Sequence, residues 1–230
     1  MTREYLLQFL KKKILTARSD TPFFVGIDGV DGSGKSIFAD ELAEHLRNKH
    51  QKVVRASLDG FHNPEHVRYQ KGKDSPEGYY ADSFNYREVS EVLLKPLRSG
   101  VGEYRTSTFD YRTNSKTNSP IQQSTPDTIL VMDGVFLFRP ELLKYWDMRI
   151  FLDVDFEETL RRVLQRSTEQ EYIGAEQKIL ERYRNRYIPG QKLYLKNVNV
   201  RGIADVLIDN TDVQNPIIKK GKTCFFSEIA

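Results

Sequence analysis

The residues best suited to chemistry stand in one run near the start of the chain, which reads G-V-D-G-S-G-K-S over Gly29–Ser36. Its spacing matches the phosphate-binding pattern G-x-x-x-x-G-K-[ST], in which glycines let backbone N–H groups turn toward phosphate oxygens. Lys35 would reach the β- and γ-phosphates, and the Ser36 hydroxyl would ligate Mg²⁺. The alternative is a glycine turn with a helix-capping serine. The predicted cofactor-binding residues of this loop are Gly29, Asp31, Gly32, Ser33, Gly34, Lys35 and Ser36.

Two aspartates could act beside this loop. Asp59 follows an apolar run directly, in S-L-D-G-F-H, and Asp133 ends the run T-I-L-V-M-D-G. Ligands of open α/β sheets bind beyond the carboxyl ends of the strands, so we expect Asp59 to face the loop. There it could orient an acceptor hydroxyl and take its proton. A buried strand-end acid needs a cation, and Mg²⁺ held also by Ser36 would supply one for Asp133. An Asp-Gly turn is the alternative for both.

Short apolar runs separated by helical stretches must position these groups. The strand-like runs are Phe23–Ile27, Val53–Leu58, Ile129–Met132, Ile150–Leu152 and Val206–Ile208. Helical spacing of apolar residues marks Lys35–Lys49, about Tyr86 to Arg98 and Glu157–Arg166. Such alternation predicts βαβ units and a parallel sheet covered on both faces. A first helix carrying Leu6, Phe9, Leu10 and Ile14 should pack on this domain. The segments Asp59–Asp82 and Thr106–Pro126 break the rhythm and are expected to be functional loops.

Composition excludes several classes of protein. The 230 residues include 35 Lys and Arg and 32 Asp and Glu. The resulting net charge of +3 does not indicate the basic surface that nucleic-acid-binding proteins have. The longest apolar stretch, Thr128–Phe138, contains Asp133 and is too short to cross a bilayer. The single Cys224 cannot form an internal disulfide, which agrees with a cytoplasmic protein. We therefore expect neither a nucleic acid nor a membrane as a partner, and the oligomeric state is not readable.

Beyond the loop, the segments S-L-D-G-F-H, Y-A-D-S-F-N-Y and V-M-D-G-V-F complete a resemblance to the uridine kinase-like branch of P-loop kinases. That branch includes phosphoribulokinase, nicotinamide riboside kinase and bacterial pantothenate kinase, and the likeness spans about Phe23 to Asn210. It implies a P-loop NTPase fold with three α/β/α layers, a mainly parallel five-stranded sheet and a small helical lid. It also implies transfer of the γ-phosphate of ATP to a small-molecule hydroxyl, with Mg²⁺, and a catalytic role for Asp59 and Lys35. The metal ligands would be Ser36, Asp133 and Asp59.

The expected organisation is an N-terminal helix over 1–20, a kinase domain over 21–215 with its lid at about 162–190, and a tail over 216–230. In the lid, Arg162 and Arg166 stand four residues apart and share one helix face. We expect Arg162 to contact ATP and Arg166 to act on the transferring phosphoryl group. Arg182, Arg184 and Arg186 fit a solvated helix with Arg–Glu pairs better.

The acceptor is a small molecule whose identity the pattern leaves open. Uridine–cytidine kinases carry a Phe-Asp pair where this chain has Gly78 and Tyr79, and a base-reading His where it has Phe109. The Tyr104-to-Asp110 spacing instead resembles that of pantothenate kinases. A nucleoside 5′-hydroxyl is the acceptor that the uridine kinase resemblance favours. The alternatives are a pantothenate- or sugar-type metabolite, or a regulatory ATPase with no metabolite acceptor. The predicted acceptor-binding residues are His62, Tyr79, Tyr104, Asp110 and Arg112.

Overall fold

The computed structural model describes residues 1–47 and 52–221. At the centre of the molecule lies a sheet of six strands in the order β10-β9-β8-β1-β7-β2. Its strands are β1 Phe23–Gly29, β2 Val53–Ser57, β7 Ile129–Gly134, β8 Met148–Asp153, β9 Val206–Asp209 and β10 Ile217–Gly221. Five of them pair in parallel, and β10 runs antiparallel to β9. The predicted α/β class and mainly parallel sheet are confirmed, with one strand more than the five expected.

The sixth strand corrects the predicted tail over 216–230. Ile217–Gly221 pairs with β9 through a register that shifts between Ile218 and Lys220. This segment is therefore part of the sheet. The rest of the predicted tail, with Cys224, lies outside the described residues.

Helices cover both faces of the sheet. They are α1 Arg3–Ala17, α2 Lys35–Leu46, α3 Glu65–Arg68, α4 Pro76–Asp82, α5 Tyr86–Val89, α6 Lys95–Ser99, α7 Pro140–Leu143, α8 Phe156–Leu164, α9 Ser167–Tyr172, α10 Glu176–Arg182, α11 Ile188–Asn197 and α12 Val200–Ile203. π-helical turns at Ser90–Leu94 and Tyr183–Tyr187 join α5 to α6 and α10 to α11. Among the described residues, no helix combines the length and apolar composition that a bilayer span requires.

The continuously apolar strands form where the sequence predicts them, because both faces of β1 and β7 are buried. On one face, α1 and α2 pack through residues that include Leu6, Leu10 and Phe38. On the other face, a second core contains Phe24, Phe136 and Leu207. This two-sided burial holds the carboxyl ends of β1, β2 and β7 side by side.

The two long loops are partly ordered into short elements. Asp59–Asp82 begins with a 3₁₀ turn over Leu58–Phe61 and contains α3 and α4. The second loop region contributes β3 Glu103–Tyr104, β4 Phe109–Asp110, β5 Ser115–Lys116 and β6 Gln122–Gln123. These strands form two small antiparallel pairs, β3 with β6 and β4 with β5, outside the main sheet.

Candidate functional site

The Gly29–Ser36 run connects β1 to α2, as the motif requires. Gly34 caps α2 with φ +88°, and Gly32 has φ +85°, a region that residues with a Cβ seldom adopt. A Cβ on Gly32 would also lie 2.6 Å from the carbonyl oxygen of Thr159. The Asn210 amide donates to the carbonyl of buried Ser33 at 2.8 Å. The loop is therefore held in one shape by its glycines and by contacts from distant segments.

Asp31, in the same loop, is held by two residues from other elements. Its backbone N–H donates to Gln191 Oε1 at 2.9 Å, while Gln191 Nε2 donates back to its carboxylate at 3.0 Å. The Tyr79 hydroxyl donates to the same carboxylate oxygen at 2.7 Å. The other carboxylate oxygen lies 3.5 Å from Lys35 Nζ. Asp31 thus ties the phosphate loop and its lysine to α4 and α11.

The two acids predicted beside the loop are placed at neighbouring strand ends. Asp133, the penultimate residue of β7, is 1% exposed and accepts a hydrogen bond of 2.7 Å from the Ser36 hydroxyl. Arg55 of β2 approaches its second oxygen at 2.7 Å. The sequence predicts Mg²⁺ as a cation for this buried acid, and that role stays a prediction; in the structure Arg55 also provides a positive charge beside it. Arg55 was missed, although its place inside an otherwise apolar strand is a readable signal.

Asp59 follows β2 in the 3₁₀ turn and opens onto a cleft of about 200 Å³. Removal from bulk water raises the pKa of its carboxyl to about 7. Lys35 acts to lower that pKa, whereas the nearby carboxylates of Asp133, Asp31 and Glu169 raise it. A base works best when its pKa is close to the working pH, so this environment suits proton abstraction.

His62 lies one turn beyond Asp59 and is held as a neutral imidazole. Burial lowers its pKa to about 4, with Arg68 acting in the same direction. Its Nδ1 lies 2.9 Å from the carbonyl oxygen of Asp59, which makes Nδ1–H the donor and leaves Nε2 as an acceptor. The ring packs against Phe84 and Tyr111 at centroid distances of 4.4 and 4.6 Å. Uncharged His62 can therefore offer an acceptor lone pair, but no positive charge, to a molecule in the cleft.

Eight of the side chains that the sequence predicts for the site line this cleft. Those that line it are Asp31, Lys35, Ser36, Asp59, His62, Tyr79, Arg112 and Arg166.

Two predicted acceptor residues, Tyr104 and Asp110, do not line the cleft. Tyr104 is 1% exposed in the core, where its hydroxyl donates to Gln122 at 2.9 Å. Asp110 caps a turn by accepting from Arg112 N at 2.9 Å and from the Thr113 hydroxyl at 3.0 Å. The Tyr-to-Asp spacing therefore reflects loop packing in this chain.

The three arginines at the start of the lid differ in their surroundings. Arg162 donates to the carbonyls of Gly32, Asn210 and Thr211, at 3.3, 3.0 and 2.7 Å. These hydrogen bonds join the phosphate loop to the segment after β9, and Arg162 does not line the cleft. Arg161 is exposed and pairs with Glu158 at 2.8 Å. Arg166, at the N-terminus of α9, is the one of these three arginines that lines the cleft.

Sequence reasoning missed several residues of the cleft. They are Arg68, Tyr69, Tyr111, Glu169, Tyr172, Tyr183, Arg186 and Tyr187. Arg186 corrects the prediction of a solvated arginine helix, because it is only 2% exposed. It lies in the π-helical turn, whose extra residue per turn changes which side chains face inward. The i, i+4 spacing of Tyr183 and Tyr187 was the available signal for an inward face.

Oxygen ligands for a magnesium ion are available beside the loop. Among residues 1–47 and 52–221 no group of three or more His, Cys, Asp or Glu forms a metal cluster. Mg²⁺ usually binds through one or two carboxylates together with substrate phosphates, so Ser36, Asp59 and Asp133 fit that mode. The Ser36 hydroxyl donates a hydrogen bond to Asp133, which leaves the oxygen lone pairs of Ser36 for a cation. The donor set therefore fits Mg²⁺ accompanied by phosphate.

Comparison with known proteins finds one matching family model and several relatives. Residues 24–197 match the model of the phosphoribulokinase/uridine kinase family. Uridine-cytidine kinase B of Dictyostelium discoideum is 26% identical over 151 residues, which cover 66% of this chain and 60% of that protein. Uridine kinase of Lactobacillus helveticus is 22% identical over 161 residues, covering 68% and 72% of the two chains. In a chloroplastic uridine/cytidine kinase of Arabidopsis thaliana, the match spans 30% of the relative's length.

Solved structures show the same fold. A structure described as a possible uridine kinase from Bacillus stearothermophilus superposes with a TM-score of 0.68 at 24% identity, covering 87% of this chain and 96% of that one. D-glycerate 3-kinase from Cryptococcus neoformans superposes with a TM-score of 0.61 at 13% identity, covering 93% and 99%.

Proposed function

Since the chain belongs to the phosphoribulokinase/uridine kinase family, we propose that it is an ATP-dependent kinase that transfers the γ-phosphate to a hydroxyl of a small molecule. One observation carries the proposal: Lys35, Ser36 and Asp59 open onto the same cleft. A triphosphate-binding loop and a carboxylate that can act as a base are thereby brought together. The cleft also has room for a small acceptor beside Asp59.

Each residue has a defined task in this proposal. The loop amides and Lys35 bind the triphosphate, and bound Mg²⁺ supplies neutralisation of phosphate charge. Asp59 orients the acceptor hydroxyl and takes its proton as the hydroxyl oxygen attacks the γ-phosphorus. The bond between the γ-phosphorus and the β,γ-bridging oxygen breaks, and ADP leaves with that oxygen. Arg166 stabilises the charge on the transferring group from the lid side. Asp133 orients the Ser36 hydroxyl, and Arg55 balances the charge of Asp133.

A nucleoside 5′-hydroxyl is the acceptor that the names of the relatives suggest, and the cleft could stack a planar base. His62 and six tyrosines line it. The residues by which uridine–cytidine kinases hold the ribose and read the base are absent from the matching positions. Tyr79, which replaces one of them, donates its hydroxyl to Asp31. We therefore place the acceptor among small hydroxyl metabolites and treat uridine as one member of the test panel.

The proposal is tested by measuring γ-phosphate transfer from labelled Mg·ATP to a panel of nucleosides, sugars, sugar phosphates and hydroxy acids, with the product identified by mass spectrometry. Strong stimulation of ADP formation by one class of compound, with stoichiometric labelling of that compound, is the expected result. Slow ATP hydrolysis that no compound accelerates would contradict the proposal and favour a regulatory ATPase. Lys35→Ala distinguishes either activity from a contaminant, because it should abolish both.

A further inference from the structure

The cleft contains more positive charge than phosphoryl transfer from ATP requires. Five cationic side chains line it, Lys35, Arg68, Arg112, Arg166 and Arg186, against three carboxylates, Asp31, Asp59 and Glu169. Lys35 and Arg166 are assigned to the triphosphate in the proposed function. Asp31 already accepts from Tyr79 and Gln191 and faces Lys35. Three arginines are left with no assigned anion.

Two of these arginines are buried. Arg68 is 5% exposed and Arg186 is 2% exposed. Neither forms an ion pair with a carboxylate in the part of the chain that the structure describes, and in each the Nε atom has no hydrogen-bond partner there. Burial of a guanidinium without a counter-charge is costly, and it lowers the pKa of Arg186. An anion bound in the cleft would remove this cost.

Arg186 and Arg68 have different hydrogen-bond environments. Arg186 donates to the carbonyls of Gly72, Ser75 and Arg68, at 3.3, 3.0 and 3.1 Å. Its guanidinium also lies over the Tyr69 ring at 4.8 Å. These contacts make Arg186 a positioning residue that holds the backbone of Arg68. Arg68 has long contacts to Tyr111 O, at 3.3 Å, and to Asn114 Oδ1, at 3.5 Å, an interaction with the Tyr172 hydroxyl, and a guanidinium 5.5 Å from the centre of the Tyr69 ring. Its donor groups are therefore the ones left for a ligand.

Arg68 and Asp59 line the same cleft, and a short series of contacts joins Arg68 to the backbone of Asp59. The Asp59 carbonyl binds His62 at 2.9 Å, the His62 ring packs on Tyr111 at 4.6 Å, and the Tyr111 carbonyl accepts from Arg68. A single small molecule in a cleft of about 200 Å³ can therefore face both Asp59 and Arg68. Arg112, exposed at the rim and 3.3 Å from the Tyr111 hydroxyl, adds a second cation on the same side.

We propose that the acceptor is an anion, a hydroxyl compound whose carboxylate or phosphate group is bound by Arg68 with support from Arg112. This inference rests on the proposed kinase function and narrows its acceptor from any small hydroxyl compound to one that carries an oxyanion. Uncharged nucleosides would leave the buried guanidinium of Arg68 without a counter-charge. The oxyanion places the far end of the acceptor at Arg68, so that its hydroxyl points to Asp59.

Matched pairs of acceptors that differ only in the oxyanion provide the test. We choose D-glycerate with glycerol, pantothenate with pantothenyl alcohol, and ribose 5-phosphate with ribose, and add uridine and cytidine as uncharged nucleosides. The charged member of at least one pair should have a kcat/KM about 10- to 100-fold above its neutral partner, the size expected for a charge-assisted hydrogen bond. The carboxylate pairs and the phosphate pair distinguish the two oxyanions.

Arg68→Met should raise KM for the charged acceptor by about 10- to 100-fold, a larger change than in the KM for ATP or in the turnover of the neutral partner. Arg68→Lys should recover part of this loss because it restores the positive charge. Arg105→Met is the matched control: Arg105 also contacts a loop, through Asn118 and Ser119, but it does not line the cleft. It should leave the ratio of charged to neutral turnover unchanged.

The failures of the two proposals are distinguishable. Efficient phosphorylation of uridine, or of the neutral members in preference to the charged ones, overturns the anionic acceptor and leaves the kinase standing. Equal loss of both members of a pair in Arg68→Met also overturns it, since a purely structural arginine would act that way. If no compound of either charge accelerates ADP formation, the proposed kinase function fails together with this inference.

Discussion

The hydroxyl of Ser36 donates a hydrogen bond of 2.7 Å to Asp133, the buried acid at the end of β7. The second carboxylate oxygen of Asp133 lies 2.7 Å from Arg55. Arg55 in turn donates to Asp40 of α2 at 2.8 Å. The first turn of the phosphate-binding helix is thereby connected to two strands by charged groups. This connection holds Ser36 in place before any ligand binds.

Removing one partner of the Arg55–Asp133 pair should destabilise the fold. Arg55→Met leaves the carboxylate of Asp133 buried without its cation, and we expect a loss of about 3 kcal/mol in the free energy of unfolding. Asp133→Asn in the same chain should recover part of that loss, because the buried charge is then gone. Urea unfolding of the two single variants and the double variant measures the coupling. Additive losses would show that the pair does not interact.

Asp59→Asn should lower kcat for the best acceptor at least about 100-fold, because an amide cannot take the hydroxyl proton. The KM for ATP should stay nearly constant, since the loop and Lys35 are unchanged. Asp110→Asn is the matched control, as Asp110 caps a turn and does not itself line the cleft. The measurement is steady-state kinetics, kcat and the KM for ATP, of the unchanged protein, Asp59→Asn and Asp110→Asn. A normal kcat in Asp59→Asn would remove Asp59 from the proposed mechanism.

Arg166→Met should reduce kcat about 10³-fold or more, the effect expected when a cation that neutralises the transferring phosphoryl group is lost. Arg161→Met, a few residues earlier, should have little effect because that side chain is exposed and pairs with Glu158. Both variants replace an arginine by the same uncharged, shorter side chain and differ only in the position of the replacement. Equal activity of the two variants would mean that position in the cleft does not matter.

Gln191→Leu should weaken the phosphate loop. Gln191 is 1% exposed, and its amide both accepts from Asp31 N and donates to the Asp31 carboxylate. We expect a loss of about 1–3 kcal/mol in unfolding free energy, together with a raised KM for ATP, because the partly buried Asp31 N–H loses its acceptor and the Asp31 carboxylate loses one of its two donors. Gln165→Leu, at an exposed helix end, serves as the control. Unchanged values for Gln191→Leu in both measurements would contradict this role.

His62 predicts how stability depends on pH. Its pKa is lowered to about 4 in the fold from an ordinary value of about 6.5, so the unfolded chain binds more protons between these values. Its contribution to stability is therefore present above about pH 6.5 and lost as pH falls toward 4, by at most about 1.4 kcal/mol per pH unit. In His62→Gln, the curve of unfolding free energy against pH should be flatter over this range. His66→Gln, at an exposed position, should retain the original slope.

The sequence alone predicts the parts of this protein that local chemistry determines. The phosphate loop is readable because its glycines need positive φ angles and close approach, as Gly32 and Gly34 show. The buried strands are readable because a strand covered on both faces must be apolar throughout. The α/β class follows from these two signals, and the family resemblance follows from the loop together with the segments S-L-D-G-F-H, Y-A-D-S-F-N-Y and V-M-D-G-V-F; both are confirmed.

The acceptor side could not be read in this way, because its residues come from segments that are distant in sequence. Tyr104 and Asp110 have a suggestive spacing, yet the small antiparallel strands direct them into the core and into a turn. Arg186 belongs to the cleft because a π-helical turn places it there, and hydrophobic spacing does not reveal such a turn.

The same reason separates the two halves of the site. The sequence by itself determined where phosphate would bind, since that depends on the backbone of one continuous loop. Only the tertiary structure decided what else meets there: the register that pairs Ser57 with Asp133 brings Arg55 to the buried acid. The packing of the helices around the cleft likewise brings Arg68 and Arg186 to it. The groups that surround such charged side chains come from segments distant in sequence, so no local pattern in the sequence identifies them.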